Sequence, residues 1–278
     1  MKIILIILLN LLFISCFPQK VKQVNHSSLS VNDKSRIFEI IPIWSDEFNE
    51  LGKPDPLKWS YDTGGHGWGN NELQYYTNGG NVNIANGVLT ITAKKEINGS
   101  NAYTSCRLST KAKGDFLYGR FEIKAKLPSG RGTWPAIWML PTDFAYGKWP
   151  NSGEIDIMEH VGYDQNKIHI TVHTGAFNHA IKTQVGKSIV VPTASADFHK
   201  YRVDWTPHAV KGFIDDEQIF DFTNNGQGFK TWPFDKRFHL LLNLAVGGNW
   251  GGQKGIDENA FPAGLEVDYV RVYKMIEK

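Results

Sequence analysis

The sequence predicts an all-β sandwich. Apolar residues recur at alternate positions along most of the chain, the two-residue period of a strand with one buried face. Glycine is abundant, 27 of 278 residues, which suits many turns and bulges. No long stretch carries the 3.6-residue period of a helix. A chain of this length suits one large β domain, and neither an internal repeat nor a second domain is visible.

Met1-Lys2 is followed by Ile3–Phe17, apolar apart from Asn10 and Ser15. The run reads as an export signal, being shorter than the ~20 residues a membrane span needs. Ile14-Ser15-Cys16 resembles the end of a lipoprotein signal, in which the cysteine is acylated and becomes the first mature residue; Phe13 departs from the leucine usual there. An ordinary signal peptide that happens to contain cysteine is the competing reading. The expected division is signal 1–16, polar Ser/Asn/Lys-rich tether 17–36 and folded domain 37–278. The protein is therefore expected to be exported, either secreted or held to a membrane through a lipid on Cys16. Cys106 alone remains in the domain, so no internal disulfide forms there, and its expected role is a packed small side chain.

The strands follow in order. Leu89, Ile91 and Ala93 alternate with Thr90 and Thr92, and Phe121, Ile123, Ala125 and Leu127 with Glu122, Lys124 and Lys126. Ile168, Ile170 and Val172 alternate with His169, Thr171 and His173, and Tyr201, Val203 and Trp205 with Arg202 and Asp204. Lys211–Ile214 and Gln218–Phe222 read as a hairpin around Asp215-Asp216-Glu217. Phe238–Val246 is apolar except for His239 and Asn243, the pattern of a strand buried on both sides. In the last strand Val267, Tyr269 and Arg271 alternate with Asp268, Val270 and Val272.

The chemistry concentrates in Gly153-Glu154-Ile155-Asp156-Ile157-Met158-Glu159-His160. On a strand, Glu154 and Asp156 share one face and Ile155 and Ile157 the other. Strict alternation sends Glu159 to the apolar face, where an unpaired carboxylate is costly. One inserted residue, a β-bulge with Met158 as the candidate, restores parity and aligns all three acids. The glutamate Cα atoms are then roughly 13 Å apart, and inward-leaning side chains can close toward the ~5–5.5 Å of a retaining glycosidase. Two glutamates flanking an aspartate can divide the roles of nucleophile and acid/base, with the aspartate holding a proton or hydrogen bond between them. A solvated acidic strand face is the alternative.

The surroundings suit a sugar. Aromatics make up 13% of the chain, with nine tryptophans, and the net charge of +2 gives no reason to expect a nucleic-acid partner. Trp134 and Trp138 share a strand face with Ala136, while Ile137 and Met139 point to the core. That is either a pair of platforms beside a cleft or two core tryptophans with one wet edge. Trp68, Trp149 and Trp250 extend the platform from loops. His173 lies on the strand after the acidic one, where antiparallel pairing sets it beside Asp156 or Glu159. Asn70 and Asn71 are both candidate sugar-binding amides, with Asn71 preferred. No metal-ligand cluster of His or Cys is seen.

The acidic segment, together with Trp44-Ser45-Asp46-Glu47-Phe48, Gly67–Tyr76, Gly132–Met139 and Glu266–Tyr273, resembles glycoside hydrolase family 16 in its bulged E-x-D-x-x-E form, laminarinase (endo-1,3-β-glucanase) branch. The resemblance spans about Trp44 to Tyr273. It implies a jelly roll with a substrate cleft on the concave face, Glu154 as nucleophile, Glu159 as acid/base and Asp156 as the assisting carboxylate. It also implies a sugar-binding role for Arg107, no cofactor for catalysis, and a structural Ca²⁺ on the convex side held by Glu47, the Gly87 carbonyl and Asp268, oxygen donors of the kind Ca²⁺ takes. The expected activity is endo-acting, retaining hydrolysis of 1,3-β-glucan by a monomer. A mixed-linkage 1,3-1,4-β-glucan or an algal galactan as substrate is the first alternative, decided by cleft loops such as 143–151 and 177–187. A non-catalytic β-glucan-binding protein is the second, and the retention of all three acids speaks against it.

Overall fold

The computed structural model describes residues 37–276; the expected export signal, with Cys16, and the expected tether lie outside the described residues. Eighteen strands are found there. The first six are β1 (Trp44–Asp46), β2 (Ser60–Tyr61), β3 (Gln74–Tyr76), β4 (Val82–Ala85), β5 (Val88–Asn98) and β6 (Asn101–Ser105). Then come β7 (Arg107–Ser109), β8 (Asp115–Phe116), β9 (Gly119–Lys126), β10 (Thr133–Pro141), β11 (Glu154–His160) and β12 (Lys167–His173). The last six are β13 (Val185–Val190), β14 (His199–Trp205), β15 (Ala209–Ile214), β16 (Glu217–Thr223), β17 (Phe238–Val246) and β18 (Ala263–Tyr273).

They form two stacked sheets, the jelly-roll sandwich expected. One has ten strands in the order β16-β15-β14-β9-β18-β5-β6-β3, with β1 on β18 and β4 on β5. The other has eight, β13-β12-β11-β10-β17-β7-β2, with β8 on β17. Alternation makes the core: Leu89, Ile91, Phe121, Ile123, Val203 and Trp205 from the first sheet meet Ile137, Met139, Ile155, Ile170 and Leu242 from the second, all fully buried. Cys106 packs in the same core, and burial pushes its thiol up to about 12, so it is inert.

Three features of the pattern are resolved at residue level. The hairpin turn falls on Asp215 and Asp216, whose φ angles of 48° and 72° give the twist that a two-residue loop needs. All nine residues of β17 are buried, as its composition implies. In β18 the alternation does not run through. A register shift between Val267 and Tyr269 resets the parity, so Val267, Val270 and Val272 face the core and Asp268 and Tyr269 both face out. The apolar side chains decide: a bulge there buries every valine, whereas an unbroken strand would expose some.

Candidate active site

The outer face of the eight-stranded sheet carries the acids, and a bulge puts them there. Asp156 pairs with Thr171 of β12 and Glu159 pairs with His169, two positions along, so Ile157 and Met158 together oppose Ile170. Against β10, Met158 keeps a partner in Ile137 and Ile157 is the unpaired residue, so the insertion belongs to the Ile157–Met158 pair rather than to Met158 alone. Both side chains are fully buried. The parity reset stands: Glu154, Asp156 and Glu159 share the open face. Gly153 turns the chain into this strand at φ +88°, where a Cβ would meet Pro233 and Phe234 at 2.8 and 2.9 Å.

Register then sets the neighbours. One row across the sheet reads His169, Glu159, Ala136, Asn243, Arg107; the next reads Thr171, Asp156, Trp138, Leu241. His173 sits directly opposite Glu154. Its Nε2 lies 3.3 Å from Asp156 Oδ2 and 3.8 Å from Glu154 Oε1, so it serves Glu154 and Asp156 rather than Glu159.

Each glutamate is held by an indole. Trp149 Nε1 donates to Glu154 Oε2 at 2.9 Å, and Trp134 Nε1 donates to Glu159 Oε1 at 3.1 Å. Asp156 is 2% exposed, and its Oδ2 accepts no hydrogen bond among the described residues. Burial, then the charge of Asp156, holds Glu154 well above the usual carboxylate range. Burial, then Glu159, does the same to Asp156, and burial raises Glu159 against the opposing pull of the Trp134 hydrogen bond and His173. Burial thus raises the proton affinity of all three acids above that of free carboxyls.

The walls are aromatic. Trp134 meets Trp250 edge-to-face at 5.4 Å, and Trp250 meets His169 at 5.0 Å. Gly251 lets that loop close down, since a Cβ there would lie 2.9 Å from Trp134 Cβ. Trp149 packs on His179 at 4.8 Å. The Arg107 guanidinium lies between Trp68 and Trp138, 4.8 Å from each ring, with Nε 3.0 Å from Asp62. Arg107 is thus clamped between indoles instead of reaching freely into the cleft. Asn71 Nδ2 donates to Asn249 at 2.9 Å and ties two loops together; Asn70 donates to Glu72.

The chain as a whole is similar to known proteins. The family model for glycosyl hydrolases family 16 matches residues 69–271. The chain belongs to family 16. It is 54% identical over 255 residues to a beta-glucanase of Rhodothermus marinus, covering 88% of each chain. Among solved structures it matches the laminarinase from Rhodothermus marinus with a TM-score of 0.84 and 54% identity, over 87% of this chain and all of that one. It also matches SCLam, a non-specific endo-beta-1,3(4)-glucanase, with a TM-score of 0.82 and 45% identity, over 87% of this chain and 94% of that one.

Several residues of this family 16 site escape a reading by spacing. Asn243 was visible only as a polar exception in β17. It stands four positions from His239, so both face the cleft side, and it accepts the Trp138 indole N–H at 2.7 Å. Glu72, Gln74 and Tyr76 share one parity and meet beneath the cleft wall, a pattern that alternation offered and that the neighbouring asparagines obscured. His169 has the parity of His173 and stands beside Glu159. His179 comes from a loop, where periodicity gives no signal. On the opposite sheet, both oxygens of Glu47 take the guanidinium of Arg271, at 2.9 and 2.7 Å, and Asp268 pairs with Lys124 at 2.8 Å. Gly87 forms the β4–β5 turn at φ +75°.

Proposed function

We propose that this chain is an endo-acting, retaining glycoside hydrolase that cleaves 1,3-β-D-glucosidic bonds in laminarin-type β-glucan. One observation carries the reading: the bulge at Ile157–Met158 brings Glu154, Asp156 and Glu159 to one face of a tryptophan-lined cleft. The likeness to a beta-glucanase, a laminarinase and an endo-beta-1,3(4)-glucanase supports the substrate.

The residues divide the work by environment. Glu154 has Oε2 fixed by Trp149, which leaves Oε1 to attack C1. Glu159, whose proton affinity burial raises, gives its proton to the leaving oxygen as the C1–O bond breaks. A glycosyl ester on Glu154 results. Water, deprotonated by Glu159, then attacks C1 and releases Glu154 with net retention. Asp156 carries the proton that Glu154 sheds before attack, because Glu154 has an indole donor to stabilise its anion and Asp156 Oδ2 has none. Trp134 and Trp138 offer faces for glucose rings, and the His173 ring stands against Glu154 and Asp156. This chemistry needs no cofactor.

The convex-face donors act in this reading as ion-pair partners. Glu47 and Asp268 each already face a cation, so the donor set does not fit the expected Ca²⁺ without displacing Arg271 and Lys124. Export, with an acyl anchor on Cys16, rests on the N-terminal sequence; a Cys16→Ala chain would move from the membrane fraction to the soluble one.

The activity is tested by following reducing ends from laminarin, lichenan, agarose and carrageenan side by side. Laminarin is expected to be the best substrate, with the β-anomer formed first by NMR. Glu154→Gln is expected to abolish turnover and keep oligosaccharide binding. An initial α-anomer, or near-normal hydrolysis by that variant, would overturn the mechanism.

A further inference from the structure

Behind Trp138 lies a closed ring of contacts. The Trp138 indole N–H donates to Asn243 Oδ1 at 2.7 Å, and Asn243 Nδ2 donates to the Tyr76 hydroxyl at 3.0 Å. That hydroxyl donates to Glu72 Oε2 at 3.3 Å. Tyr76 in turn packs on Trp68 at 5.2 Å, and Arg107 bridges Trp68 back to Trp138. Tyr76 and Asn243 are buried, at 1% and 6% exposure, so no bulk water can replace a lost member.

Chemistry fixes the direction of this relay. An indole N–H can only donate and an ionised carboxylate can only accept. With Trp138 at one end and Glu72 at the other, the Tyr76 proton must point to Glu72. The hydroxyl oxygen is then free to accept from the Asn243 amide, whose oxygen is thereby turned to the indole. Glu72 is itself held by Gln74 at 2.7 Å and Asn70 at 3.3 Å, and Gln74 is locked by the Val246 backbone N–H at 2.7 Å. Burial raises the Glu72 carboxyl above its usual range, and the hydrogen bonds from Gln74 and Asn70 and the field of Arg107 oppose it in favour of the anion.

We propose that Glu72 and Tyr76 are positioning residues for substrate binding: neither reaches the sugar, and together they set the plane of the Trp138 platform through Asn243. This rests on the reading of the cleft as a β-glucan site. A tryptophan rotated about its side-chain bonds loses stacking area on a glucose ring, so the relay should govern binding much more than the chemical step.

The test is a double-mutant cycle on laminarin oligosaccharides, with wild-type hydrolysis as the prior condition that the functional reading itself must meet. Tyr76→Phe removes one hydroxyl from the relay and is expected to raise KM about 5- to 10-fold, with kcat within about twofold. In a Trp138→Phe background, which has no indole N–H to align, the same change should alter KM by less than about twofold. Glu72→Gln, which keeps the shape and loses the acceptor-only terminus, should reproduce the KM effect and serves if Tyr76→Phe does not fold. An unchanged KM in an active, folded variant would refute the proposal. So would an effect of equal size with and without the Trp138 indole, which is what a purely structural role predicts.

Discussion

The indole N–H of Trp149 donates to Glu154 Oε2 at 2.9 Å, so a loop residue five positions upstream fixes the orientation of the carboxylate proposed to attack. A hydrogen bond to a charged group contributes about 1.5–3 kcal/mol. Trp149→Phe keeps most of the aromatic bulk and removes the donor. Steady-state kinetics on laminarin should therefore show kcat lowered by about 10- to 100-fold, and an unchanged kcat would remove Trp149 from that role.

Asp156 raises the affinity of Glu154 for protons, so replacing it has a signed effect on the pH profile. In Asp156→Asn that charge is gone, Glu154 ionises more readily and its anion forms at lower pH. The acid limb of kcat/KM should move to lower pH, along with a large drop in the maximum. A limb that moves upward contradicts the shared-proton reading.

The same variant should be more heat-stable at neutral pH. Glu154, Asp156 and Glu159 all have folded-state values raised above their ordinary ones, 4.5 for glutamate and 3.8 for aspartate. Their contribution to stability is fully present below those ordinary values and is lost as pH rises through the raised ones. Asp156→Asn escapes its part of that loss. Calorimetry should find Tm above the wild type by about 3–6 °C at pH 8 and little different at pH 4. Equal differences at both values would show that charge is not the cause.

Deletion of Met158 tests the bulge. With one residue opposite Ile170 instead of two, strict alternation alone keeps Glu154, Asp156 and Glu159 on one face. A folded deletion variant should therefore retain hydrolysis, while Tm falls by about 5 °C or more because the buried Met158 side chain is lost. A folded deletion variant without activity would mean that the acids depend on the bulge geometry and not on parity alone.

Calcium chelation tests the convex face. Because Glu47 is bound to Arg271 and Asp268 to Lys124, EDTA should leave Tm within about 1 °C of its starting value. A substantial drop, restored by Ca²⁺ alone, would show that the ion displaces both cations.

Much of this was legible because strand period is a local property. Alternation exposed the sandwich, the buried central strand and the Asp215-Asp216 turn, and the cost of burying Glu159 exposed the bulge before any coordinates. Local pattern failed where a second chain segment decides. The break in β18 is invisible in Val267–Val272, because only packing against β9 tells which valines need the interior. Only the tertiary structure shows Arg107 between two indoles and beside Asp62, and the Asn71 amide donating to Asn249.

By itself the sequence determined the architecture, the three acids and their common face, since each follows from side-chain period and the price of buried charge. Tertiary structure decided which groups hold those acids and the Trp138 indole in place. Trp149 and Trp134 fix Glu154 and Glu159, while Asn243, Tyr76 and Glu72 stand behind Trp138. Their partners are set by sheet register and loop closure, which the spacing of neighbours alone does not give.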